Sequence, residues 1–173
     1  MELPGSGYLY TLATISITYS GFAVIVTVFR QLIGGTLSGH DIFFIRSILM
    51  RSFMIAIFAM LPPLLAWFEL SPSTVWRASS FIAALAQGLF ILTYPARRRA
   101  ATKMPLPRST LANNIFQLLV AAILVVNASG LFFTPMGGLF GAAITAFLVS
   151  AFVSYMIALG LLLQTHTKRK ESE

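Results

Sequence analysis

Between Arg108 and Lys168 the chain runs for 59 residues without a lysine, arginine, aspartate or glutamate. A helix that crosses a hydrocarbon layer roughly 30 Å thick needs about 20 mainly apolar residues. The stretch is too long for one crossing, and the segment GLFFTPMGG, residues 130–138, places Gly and Pro in its middle as a turn. Three more charge-free runs precede it: 27 residues between Glu2 and Arg30, 17 between Arg51 and Glu69, and 19 between Arg77 and Arg97. Together they predict five membrane-spanning helices in an all-α, polytopic bundle, a single membrane domain over residues 1–173.

Composition points the same way. Of the 173 residues, 57% are hydrophobic and 10% charged, whereas soluble domains carry about a quarter charged residues. The mean hydropathy is +0.84. The chain has no cysteine, which excludes disulfides, thiolate metal ligands and cysteine nucleophiles. The expected spans are residues 8–33, 45–68, 75–94, 110–132 and 138–164, with a basic loop at 95–109 and a tail at 165–173.

Local signals mark several ends. Ser38 with Asp41 three residues later reads as a capping box opening the second helix. Ser71 followed by Pro72 reads as an N-cap with proline at the first helical position. Pro95 is expected to end the third helix and Ser109 to cap the fourth. Pro62 and Pro63 lie inside the second span, where they should kink it and free backbone carbonyls.

Orientation follows from the bias of Lys and Arg toward cytoplasmic loops. With the N-terminus outside, Arg30, Arg46, Arg51, Arg97, Arg98, Arg99, Lys103, Arg108, Lys168, Arg169 and Lys170 all lie inside and only Arg77 lies outside. An extra or missing span would put a basic cluster on the wrong side. The expected location is a bacterial inner (cell) membrane, with the C-terminus cytoplasmic. The first residues lack the basic segment and cleavage site of a signal peptide, so the first helix is expected to be retained. Membrane lipids, anionic on the cytoplasmic side, are the expected partners of this basic end, and nucleic acid is not.

Two sets of residues stand out within this frame. The first is cationic. Arg46 and Arg51 fall about 140° apart on a helix, which argues against a single charged stripe of the voltage-sensing kind. His40 lies within about 20° of Arg51. Snorkelling to the interface accounts for both arginines, and an anion or headgroup site is the sharper alternative. Arg97, Arg98, Arg99, Lys103 and Arg108, without an acid among them, extend the candidate anionic-lipid contacts.

The second set is polar. Asn113, Gln117 and Asn127 fall within about 80° of one another along roughly 21 Å of helix axis. Gln87, Tyr19 and Tyr155 lie near the centres of their spans. Such groups must face other helices or a wet cavity, because lipid offers no hydrogen-bond partner. Ordinary interhelical hydrogen bonding is one reading, and the lining of a polar path is the other.

In the fifth span Gly138, Ala142, Ala146, Ser150, Ser154 and Ala158 recur at every fourth position. A row of small residues lets helix backbones approach closely. Ser80, Ala84 and Gly88 form a shorter row in the third span; the two rows can pack on each other or on a neighbouring subunit, and a homo-oligomer is expected. Trp67, Trp76, Tyr8 and Tyr10 read as interfacial anchors. Glu69 and Arg77 are close enough in sequence to pair across the turn between them.

No carboxylate lies deep in a span, and there is no metal-ligand cluster, phosphate loop or nucleophile motif, so neither enzymatic activity nor a metal or cofactor is expected. Two functions fit. One is a small homo-oligomeric channel or transport-type protein with an amide-lined path. The other is a non-transporting scaffold or accessory subunit that binds anionic lipid or a partner through its arginines.

Overall fold

The computed structural model describes residues 3–32, 39–102, 107–132 and 134–170, with side chains excepted at Arg30, Leu32, His40 and 157–170. The protein is all-helical over these residues. Its helices are α1 (Ser6–Leu32), α2 (Gly39–Ala66), α3 (Pro72–Thr102), α4 (Arg108–Ser129) and α5 (Gly137–Lys170). All five are long and apolar enough to cross a membrane, as the charge-free runs predict.

Sequence-adjacent helices pack on one another, and contact between α5 and α2 closes α2–α5 into a ring against which α1 lies, mainly on α2. Ile55, Ala59, Val75, Ala83, Leu124, Phe140, Ile144 and Phe147 form the driest part of the interior. The outward faces are equally apolar, with Phe22, Phe29, Ile57, Leu92 and Leu119 well exposed. Serines and amides are instead turned inward: Ser16, Ser52, Ser79, Ser80, Gln87, Gln117 and Asn127 have essentially no exposed surface. That distribution suits a lipid solvent, which satisfies methyl groups and leaves polar groups to find partners inside.

The helix ends follow local chemistry, with some departures from expectation. Ser71 Oγ accepts the backbone N–H of Thr74 at 3.3 Å, and Pro72 begins α3. Ser38 and the linker before it lie outside the described residues. Pro95 does not end α3, which continues to Thr102 and turns much of the expected 95–109 loop into helix. A proline ring costs the helix one N–H and crowds the carbonyl four residues back. That carbonyl belongs to Ile91, a single bond of the ladder, and α3 stays packed on both sides of the proline, with Ile91, Tyr94 and Arg98 buried. On the same turns Thr93 Oγ1 donates to Leu89 O and Arg97 Nη2 to Phe90 O, both at 2.7 Å. Likewise α2 is continuous through Pro62 and Pro63.

The α2–α3 turn closes with three tight bonds, Trp67 N to Leu64 O, Phe68 N to Leu65 O and Glu69 N to Ala66 O, and places Glu69 at φ +56°. Glu69 and Arg77 do not pair. Arg77 reaches the other turn at this end, where a Cβ added to Gly130 would lie 2.6 Å from its Nη2. Gly130 is the left-handed C-cap of α4, at φ +65°. Trp67 is 82% exposed and suits an anchor, but Trp76 is buried, its ring 5.8 Å from that of Phe140 and in contact with Gly137. Trp76 therefore seals the interior instead of reaching outward.

Candidate functional site

The two arginines of α2 part company because about 140° separates them. Arg46 is exposed, while Arg51 is only 7% exposed and points into the bundle. On α3 the Arg97–Arg98–Arg99 triplet is spread around the helix in the same way. Arg99 faces outward, Arg97 is half-buried and Arg98 is 8% exposed. Phe90, two turns before Arg97, carries two of these cations: the Arg97 guanidinium lies 4.3 Å and that of Arg51 5.5 Å from its ring centroid. Such contacts offset part of the cost of desolvating a cation.

Arg51 and Arg98 line one open cleft at this basic end, about 220 Å³ in volume. Ser47 and Ile48 of α2 and Tyr94 of α3 share its wall. Its third side is the start of α4, through Pro107, Ser109, Thr110 and Asn113, and Ser154 of α5 completes it. The Nε of Arg51 and the Nε of Arg98 are both buried without an acceptor. Burying a guanidinium without a partner costs several kcal/mol, on the order of 3–5 where a buried pair is broken. The acids among the described residues are Asp41 and Glu69. Asp41 is buried in the first turn of α2 and already engaged, and Glu69 sits at the opposite end of the bundle.

The beginning of α4 adds a partial positive charge. Its N-cap is Pro107 (φ −62°, ψ 148°), which offers no side-chain acceptor, and the first intrahelical bond is Leu111 N to Pro107 O at 3.0 Å. The N–H groups of Arg108, Ser109 and Thr110 are thus the orphan donors of the first turn. Ser109, expected as the cap, occupies the second helical position instead and lines the cleft.

The cleft floor connects to the amides. Asn113 Nδ2 donates to Ser154 Oγ at 3.2 Å, Ser150 Oγ donates to Asn113 Oδ1 at 2.6 Å, and Gln117 Nε2 donates to Ser150 Oγ at 2.7 Å. Gln87 Nε2 then donates to Gln117 Oε1 at 2.7 Å. This chain stitches α3, α4 and α5 together and ends at Gln87 Oε1, which is buried and unpartnered. Toward the other end of the bundle the next layer is dry, made of Ala83, Leu124, Ile144 and Phe147.

Asn127 therefore stands apart from Asn113 and Gln117 despite sharing their helix face. Its Nδ2 donates to Ser80 Oγ at 2.9 Å and to Met136 O at 3.3 Å, and its Oδ1 accepts Met136 N at 3.0 Å. It clamps the α4–α5 turn. Tyr19 and Tyr155 lie on the α1–α5 side, their rings edge to face at 5.6 Å; Tyr19 Oη donates to Ala151 O at 3.0 Å, and the Tyr155 hydroxyl has no partner.

Among the remaining candidate cations Arg46, Arg99 and Arg108 are exposed, and Lys103 lies outside the described residues. The small-residue row of α5 does not form one buried face. Gly138 and Ala142 are exposed, Ala146 and Ser154 are half-buried and Ser150 is buried, because successive i+4 positions drift by about 40° around a helix. The side chain of Ala158 lies outside the described residues. Of the Ser80–Ala84–Gly88 row, Ser80 meets Asn127 of α4 while a Cβ on Gly88 would meet open space, and α3 barely touches α5.

Sequence reading did not single out Phe90 or Thr110. The spacing of Phe90 from Arg97, seven residues or about two turns, was the available signal for the stacked cation. Comparison with protein-family models, curated proteins and solved structures finds no match. The case for function rests on the cleft itself.

Proposed function

We propose that this multi-pass membrane protein is a non-transporting accessory or scaffold subunit that holds an anionic group in the cleft between α2, α3 and the start of α4. One observation carries the reading: two guanidiniums, each less than a tenth exposed, face the same opening with their Nε atoms unpaired. An anion seated there offsets a desolvation cost that the protein otherwise bears. The basic end lies on the cytoplasmic side of a bacterial inner membrane, with the N-terminus outside, as the eleven-to-one distribution of cations favours. Anionic lipids of that leaflet supply ligands within reach.

Replacing Arg51 and Arg98 together by methionine tests the reading. Native mass spectrometry of the purified protein should find anionic lipid retained by the wild type and by an Arg46→Met, Arg99→Met control, and lost from the Arg51→Met, Arg98→Met protein. Equal retention in all three proteins refutes a site in the cleft.

A homo-oligomeric channel or transport-type protein is the second reading, favoured by the unpartnered Gln87 Oε1 at the inner end of the amide chain. Within one protomer the amides bond to each other and a dry layer follows them, so a polar path through this reading needs surfaces from several subunits. Light scattering with the detergent mass subtracted separates the two. A monomer of 18.9 kDa removes the oligomeric pore, and a discrete ring restores it.

A further inference from the structure

We propose that the anionic group is a phosphoryl oxyanion, seated on the N-terminus of α4 between the guanidiniums of Arg51 and Arg98. The inference rests on the anion-binding reading above and narrows its ligand class. Three helices converge on the cleft with donors of different direction: Arg51 from α2, Arg98 from α3, and the first-turn backbone N–H groups of α4. A planar carboxylate that meets one guanidinium fork edge-on keeps its remaining lone pairs in that same plane and serves donors from other directions poorly. A tetrahedral phosphoryl group projects three oxygens in three directions and engages all of them.

The helix end is suited to this by what it lacks. Natural N-caps are Ser, Thr, Asp or Asn, whose side-chain oxygen occupies the N2 or N3 amide. Pro107 leaves these amides vacant, and the hydroxyls of Ser109 and Thr110 stand at the same opening. A free helix N-terminus combines N–H donors with the positive end of the helix dipole, the arrangement that favours phosphate groups. Here it coincides with two buried guanidiniums whose Nε atoms have no acceptor. Their charge of about +2 matches the −1.5 to −2 of a phosphomonoester near neutral pH. Asp41, the acid described at this end, is not among the residues lining the cleft.

The test uses the full chain in a nonionic detergent and reads ligand binding by native mass spectrometry together with the thermal shift. The probes are dioleoyl phosphatidic acid (a phosphomonoester lipid), oleate (a carboxylate lipid) and inorganic phosphate. The decisive variant is Pro107→Asp, which installs a capping carboxylate on the vacant amides and favours the helix. Pro107→Ala removes the ring without occupying them.

The wild type should bind phosphatidic acid at least about tenfold more tightly than oleate, in keeping with several charge-assisted bonds against a single fork. Pro107→Asp should weaken that binding by about tenfold or more with no fall in ligand-free melting temperature, while Pro107→Ala stays within about twofold of wild type. Displacement of phosphatidic acid by inorganic phosphate identifies a soluble phosphate compound as the natural source. Failure to displace it identifies a lipid headgroup, and both outcomes retain the phosphoryl assignment.

Equal affinity for oleate and phosphatidic acid, with Pro107→Asp binding as the wild type does, overturns that assignment and leaves the anion reading standing. Binding of every probe that ignores the double substitution at Arg51 and Arg98 overturns both.

Discussion

Gln117→Leu removes the middle link of the chain joining α3, α4 and α5, and its cost can be worked from the bonds lost. Gln117 accepts from Gln87 Nε2 and donates to Ser150 Oγ, both at 2.7 Å. Interhelical hydrogen bonds in membranes average about 0.6 kcal/mol, so the two together account for about 1.2. Ser150 keeps its bond to Asn113 Oδ1, but Gln87 is stranded: its Oε1 already lacks a partner and its Nε2 would now lack one too. An unsatisfied buried donor adds about 1–3 kcal/mol. The expected destabilisation is roughly 2–4 kcal/mol.

The accompanying variant makes the reasoning refutable. When both partners of a buried bond become apolar, the penalty for a stranded group disappears. Gln87→Leu with Gln117→Leu should therefore cost less than Gln117→Leu alone, a coupling of about 1 kcal/mol or more between residues on different helices. Unfolding from mixed micelles by titrated denaturing detergent, with helicity as readout, measures all corners of the cycle. Additive costs, or a neutral Gln117→Leu, would show that these amides do not hold the helices together and would return weight to a water-lined path.

Three other outcomes follow from the turns and the basic end. Glu69→Gly should stabilise the protein by about 0.5–1 kcal/mol in the same unfolding assay, because it relieves a left-handed φ of +56° at an exposed position; a loss of stability would mean that the Glu69 side chain has a task in the turn. Gly137→Leu should lower stability by about 1–3 kcal/mol, since its Cβ collides with the Trp76 indole, and adding Trp76→Ala should recover part of the loss. The chain has no cysteine, so single cysteines at Arg46, Arg99 and Arg77 label without background. An impermeant maleimide applied outside intact cells should reach only the cysteine at Arg77, and labelling of the other two would invert the proposed orientation.

The elements that sequence reading located best are those that local chemistry or hydrocarbon thickness dictates. Ser71 and Pro72 start α3 because capping needs only neighbours in the chain. Pro95 lies inside α3 although the sequence predicts a helix end there, because a proline removes only one helical bond and the packing of Ile91, Tyr94 and Arg98 on either side of it is a tertiary matter. The amide face was legible on α4 alone, but its division was not. Asn113 and Gln117 belong to a chain that reaches the cleft, whereas Asn127 fastens a turn, and the difference comes from Ser150, Ser154, Ser80 and Met136 on other segments. For the cleft, sequence reading named Arg51 and Arg98 among many cations but had no means to bring them together.

Five apolar helices, the turns between them and the gathering of cations at one end can be read along the chain alone. Each follows from how many residues cross a hydrocarbon layer and from which side chains stay out of it. How far each helix is rotated about its own axis, and with it that Arg51 and Arg98 turn inward while Arg46 and Arg99 turn out, is set by the packed bundle. In water an apolar stripe fixes that rotation, because one face must be hidden. Against lipid the outside is as apolar as the core, so the rotation is fixed instead by contacts between helices: small residues, amide pairs and stacked guanidiniums whose partners lie far away in the chain.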